Sequence, residues 1–209
     1  MTHSLDEHVR FCHCVDQWFA RGRAALLEEV TCRRGCHHCC IGPFTITLND
    51  AELLLKGLGT LNPDIRNDIQ TQATRQAAII ENEFIRVASS PMLDDWSESD
   101  IETLVSRFAD LPCPSLGPDG SCRLYAYRPV ICRTMGLPVQ AGDLVQGACD
   151  VQTAVPIVPM PRSLREEEDR LVRTESAILA SSRGSNNKTG EEMLLPYGFL
   201  LNRNSEQEL

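Results

Sequence analysis

Ten cysteines occur in a chain of 209 residues that carries only six Phe, three Tyr and two Trp. Eight of them fall into two groups: Cys32, Cys36, Cys39 and Cys40, then Cys113, Cys122, Cys132 and Cys149. Each group offers four sulfurs. Tetrahedral zinc takes four soft ligands, and an iron-sulfur cluster takes three or four cysteine thiolates aimed at one cavity. Both arrangements need local pairs, such as Cys36-x2-Cys39, that bend round a single centre. Spacing alone does not separate the two metals. The dipeptide Cys39-Cys40 is more telling, because neighbouring side chains diverge and do not readily enter one tetrahedron. One of the two then serves this centre, and the other a second centre, a bridge or the core.

Arginines accompany the thiols at positions 33, 34, 123, 128 and 133. A metal held by four thiolates carries residual negative charge, and guanidinium donors beside the sulfurs lower its cost. Arg128 and Arg133 are the pair expected to contact the cofactor in this way. Cys12 and Cys14 are a different matter. Two positions apart on a helix, they point to nearly opposite sides, so they cannot share a metal. Cys12 falls on an apolar stripe and is expected in the core, and Cys14 at the surface. His37 and His38 lie between cysteines and are candidate ligands, whereas His3, His8 and His13 read as ordinary helix residues.

Charge and composition bound the partners. With 20 Lys and Arg against 29 Asp and Glu, the net charge is −9, which argues against nucleic acid or an anionic membrane as a partner. The first residues, MTHSLDEHVRFCHC, lack the apolar run of a secretory signal, and no stretch approaches the roughly 20 apolar residues of a membrane span. The expected location is cytoplasmic. In that reducing compartment clustered cysteines point to metal rather than to disulfides.

Helices must position these groups. Ser4 and Glu7 have capping-box spacing, and Leu5, Val9, Cys12 and Phe19 recur at helical intervals, so a first helix is predicted over about residues 4–30. β-Branched residues 45–47 suggest a short extended piece, after which Thr47 or Asn49 caps a helix through Leu58. Pro63 opens a long helix whose apolar stripe runs through Ile65, Ile69, Ala73, Ala77, Ile80, Phe84 and Val87. Ser97 or Ser99 caps another, stopped by Pro112. A Gly-Pro-Asp-Gly turn separates Cys113 from Cys122, and residues 155–161 form a proline-rich connector. Ser163 and Glu166 repeat the capping box before a last long helix that Gly184 ends.

The stretch CRRGCHHCC, followed by CPSLGPDGSCRLYAYRPVICR and then Cys149, resembles the CxxCxxCC (YkgJ-type) family of zinc- or iron-chelating proteins. The second segment carries the specific string Cys122, Tyr125, Arg128, Pro129, Cys132 and Arg133. The first departs from the usual Cys-x-x-Cys-Gly-x-Cys-Cys: three residues separate Cys32 from Cys36, and His37 stands in place of the glycine. Cys32 and His37 are therefore alternative ligands. The resemblance extends to flagellin lysine methylases, which implies an iron-sulfur cluster and S-adenosylmethionine as one possible chemistry. Cys32-x3-Cys36-x2-Cys39 also has radical S-adenosylmethionine spacing, but the chain has too few strands for that barrel, and His38 replaces the usual aromatic.

The expectation is a mainly α protein, a single helical domain over residues 1–209, in which two irregular cysteine-rich loops form a metal site. Residues 32–149 make the zinc- or iron-chelating core, and residues 163–209 a C-terminal helical extension. The expected ligands are Cys32, Cys36, Cys39, Cys40, Cys113, Cys122, Cys132 and Cys149. A 4Fe-4S cluster is favoured, with zinc as the alternative, since two closed four-cysteine zinc sites leave the dipeptide hard to place. The expected role is redox, sensing or metal handling. An S-adenosylmethionine-dependent protein-modifying enzyme and a zinc-stapled interaction module are the alternatives. No hydrolase nucleophile or phosphate loop is present.

Overall fold

The structure, a computed structural model, describes residues 2–26, 36–141, 144–146, 159–186 and 192–201. It is mainly helical, as the sequence predicts. Cys32, Cys149, Arg33 and Arg34 lie outside the described residues, as does most of the 155–161 connector. The chain is organised as two compact units that interleave in sequence.

The first unit comprises Met1–Cys39, Pro118–Ser121 and Pro129–Lys188. Its frame is two long helices, α1 (Thr2–Ala25) and α7 (Arg162–Asn186), packed against each other. Trp18, Leu26, Leu137, Met160 and Leu164 bury together between them, with Phe19 and Leu171 at the margin. The Trp18 indole N–H donates to the Leu164 carbonyl at 3.0 Å, so the largest core side chain buries no unpaired donor. An ion pair between Arg21 and Glu167 joins the same helices at the surface. Cys12 is buried and Cys14 exposed, as expected. The short helix α6 (Val130–Thr134) and the antiparallel pair β2 (Val139–Ala141) and β3 (Leu144–Gln146) complete the unit.

The last long helix starts one residue before Ser163. Pro161 supplies the first carbonyl, accepting from the N–H groups of Leu164 and Arg165, so the predicted cap falls inside the first turn. Nor does Gly184 end the helix, which continues to Asn186. A glycine inside a helix costs only about 1 kcal/mol relative to alanine, which neighbouring turns can absorb.

The second unit comprises Cys40–Gly117, Cys122–Arg128 and Thr189–Leu209. The strand β1 (Thr45–Thr47) pairs antiparallel with β4 (Glu192–Leu194), with Ile46 opposite Met193. Thr47 then caps α2 (Leu48–Leu58) with a full capping box, its hydroxyl accepting from the Asp50 N–H. Asn62 caps α3 (Pro63–Glu83), which buries Ile69, Ala73, Gln76, Ala77 and Ile80. The predicted stripe holds over that span, but Ile65 is exposed and the helix stops before Phe84. Phe84 leaves helical geometry at φ −122° and ψ 81°, and its ring meets Phe108 edge-on at 5.9 Å. Val87 belongs instead to a separate helix, α4 (Ile85–Ser89). Ser97 caps α5 (Glu98–Arg107), which Arg107 ties to α3 through two hydrogen bonds to Glu83. A last short helix, α8 (Leu195–Gly198), packs on α2 and α3.

Candidate metal centre

Within the second unit the two cysteine regions meet in the backbone. The Cys113 N–H donates to the Cys40 carbonyl at 2.7 Å, the Gly42 N–H donates to the Leu111 carbonyl at 2.7 Å, and Ile41 bridges Pro112 between them. This is antiparallel pairing in a register that sets Cys40 opposite Cys113. Pro112 occupies the position whose N–H the ladder does not use, so its missing donor costs nothing. Its carbonyl accepts from the buried Gln76 side chain at 2.7 Å, which anchors the segment to α3. Gly42 has φ +95°, and a Cβ there would lie 3.1 Å from the Ala109 carbonyl oxygen. Only glycine suits that turn.

Cys113-Pro114-Ser115-Leu116 forms a β-turn closed by the Leu116 N–H on the Cys113 carbonyl at 2.9 Å, with proline in its favoured second position. Leu116 then bridges Cys122, and the Arg123 N–H donates to the Ser115 carbonyl at 2.9 Å. The chain thus folds back on itself, as the predicted glycine- and aspartate-rich turn requires. Asp119 accepts from the Ser121 N–H, and Gly120 sits at φ +76°. The fold-back gathers three side chains: the Ser115 hydroxyl lies 3.2 Å from the Cys113 sulfur and 3.6 Å from the Cys122 sulfur. Burial pushes the Cys113 thiol up in pKa, and hydrogen bonds from Ser115 oppose that rise.

Arg123 fastens this loop. One guanidinium nitrogen donates to Asp68 of α3 at 2.6 Å and another to the Pro114 carbonyl at 2.8 Å. Tyr127, in a short turn at Tyr125–Tyr127, packs so closely on α2 that a Cβ at Gly57 would lie 2.6 Å from its ring. Arg128 covers the exposed Tyr125 ring at 4.0 Å and donates to the Tyr125 carbonyl.

The remaining cysteines of the described set lie in the first unit. Cys36 and Cys39 are half-buried, with the His37 and His38 rings stacked 5.8 Å apart beside them. Cys132 is on α6, next to Arg133, whose buried guanidinium pairs with Asp16 of α1 at 2.5 Å. None of the eight described cysteines forms a disulfide. Two side chains were missed in the sequence. Ser115 carries no motif of its own, and its role emerges only when the loop folds back. His8 is buried, with its Nε2 3.7 Å from the Cys12 sulfur, a contact their four-residue spacing could have signalled.

Reduced, half-buried thiols supported by a hydroxyl donor are the donor set that soft metals select. The chemistry present therefore fits zinc or iron. A family model described as "Putative zinc- or iron-chelating domain", CxxCxxCC, matches residues 31–150, and the chain belongs to that family. Metal binding, with zinc or iron as the ion, is the property this membership supports. No curated protein and no solved structure matches the chain. Among the described residues no helix is long and apolar enough to cross a membrane.

Proposed function

We propose that the protein holds its metal through Cys32, Cys36, Cys39, Cys40, Cys113, Cys122, Cys132 and Cys149, with Arg128 and Arg133 offsetting the charge of the bound sulfurs. The ion is carried as an iron-sulfur cluster, in a redox, sensing or metal-handling role in the cytoplasm. One observation carries this reading: Cys40, from the first cysteine region, is hydrogen-bonded through its backbone to Cys113, from the second. Two regions far apart in sequence are thereby held together at their cysteines, an arrangement that multidentate thiolate ligation would use. The arginine role rests on sequence adjacency and on the burial of Arg133 beside Cys132.

Anaerobic purification followed by elemental analysis and a visible spectrum tests the proposal. Brown protein with iron and acid-labile sulfide is expected. Colourless protein with stoichiometric zinc overturns the cluster and leaves the thiolate site. Protein with neither metal overturns the ligand set.

A further inference from the structure

Ser115 is 3% exposed and is held in place by its neighbours. It sits third in the β-turn that starts at Cys113, its carbonyl is fixed by the Arg123 N–H, and the preceding Pro114 carbonyl is fixed by the Arg123 guanidinium. Its hydroxyl has two partners among the described residues, the Cys113 and Cys122 sulfurs. A serine buried this deeply is unusual unless its hydroxyl is satisfied, and among the described residues the two sulfurs satisfy it. A hydroxyl has one proton to give and two lone pairs to accept with. Beside a thiolate it acts as donor, and a hydrogen bond to a charged acceptor is roughly twice as strong as one between neutral groups.

We propose that Ser115 is a positioning residue of the metal centre: its hydroxyl fixes the Cys113 and Cys122 side chains before the metal arrives and then donates a hydrogen bond to metal-bound sulfur. This inference rests on the metal-binding reading given above. Donation withdraws electron density from the sulfur and stabilises its charge, so it strengthens the bound state. It also lowers the energy of the sulfur orbitals from which charge transfer to the metal begins. Groups that support ligands in this way change metal affinity by about 10- to 100-fold when removed.

Cobalt(II), added anaerobically to the metal-free full-length chain, is the probe. Its sulfur-to-cobalt absorption band reports the sulfur electronics, and competition with a chelator reports affinity. Ser115→Ala is expected to bind cobalt about 10-fold more weakly, with the band moved to longer wavelength. Ser115→Thr, which keeps the hydroxyl, is expected to leave the band where it is. A purely structural serine would change affinity without moving the band, so an unmoved band in S115A overturns the proposal. If S115A does not fold, S115G, which also lacks the hydroxyl, is read in its place: a band moved to longer wavelength upholds the proposal, and an unmoved one overturns it. Wild-type protein that takes up neither cobalt nor, on anaerobic reconstitution with iron and sulfide, a cluster sinks the metal-binding reading and this inference together. Wild-type uptake with an unchanged S115A sinks only this one.

Discussion

Arg123 does more at the cysteine loop than its place beside Cys122 suggests. Its backbone and side chain together make three hydrogen bonds: to Ser115, to Pro114, and across to Asp68 on α3. The guanidinium hydrogen bond holds the Asp68 carboxyl below its ordinary pKa, and burial opposes this only in part. Because the folded value lies below the unfolded one, the contribution of this pair to stability is complete above the unfolded pKa. It is lost as pH falls through the folded value. Asp68→Asn is therefore expected to lower the urea midpoint modestly near pH 7 and to lower it by less near pH 3, where loss of the pair's contribution has begun. Urea titrations of both proteins at the two pH values check this, and a gap of the same size at both would detach the effect from Asp68 ionisation.

At the scale of elements, what the sequence revealed was local. Thr47, Pro63 and Ser97 start helices with interactions that span two or three residues, and each was readable because its partner lies within the same turn. The failures were contacts made at a distance. Phe84 leaves the long helix to meet Phe108, and no local pattern encodes that encounter. Likewise, type and spacing single out the eight cysteines as candidate ligands, but the pairing that sets Cys40 opposite Cys113 was not legible. Gly57 lies between these cases. Helix propensity alone predicts that Gly57→Ala stabilises α2 by about 0.5 to 1 kcal/mol. The added Cβ would instead lie 2.6 Å from the Tyr127 ring, and overpacking of that kind costs about 1 to 3 kcal/mol. The variant is expected to melt below the wild type in a thermal scan, and a higher melting temperature would show that Tyr127 yields without cost.

For the molecule as a whole, the chain passes from one unit to the other five times, and the first passage falls between Cys39 and Cys40. The dipeptide whose side chains diverge is thus also the point at which the chain leaves one unit and enters the next. Within the second unit, Cys40, Cys113 and Cys122 are drawn together by main-chain hydrogen bonds and one hydroxyl, a modest set of interactions. A metal bound there would bind the folded state and not the unfolded one, and at a free concentration 100 times its dissociation constant it would add about 2.7 kcal/mol. The linkage should appear first where the ordering is weakest, in the loop between Cys113 and Cys122. Limited trypsin digestion, with cleavage followed at Arg123, is expected to run at least several-fold faster after chelation than in the loaded protein. Cleavage within α1 and α7 provides the comparison, since Trp18 and its neighbours hold those helices together without any thiolate. Equal rates at Arg123 in the loaded and stripped protein would place the metal away from that loop, and acceleration confined to Arg123 would place it there.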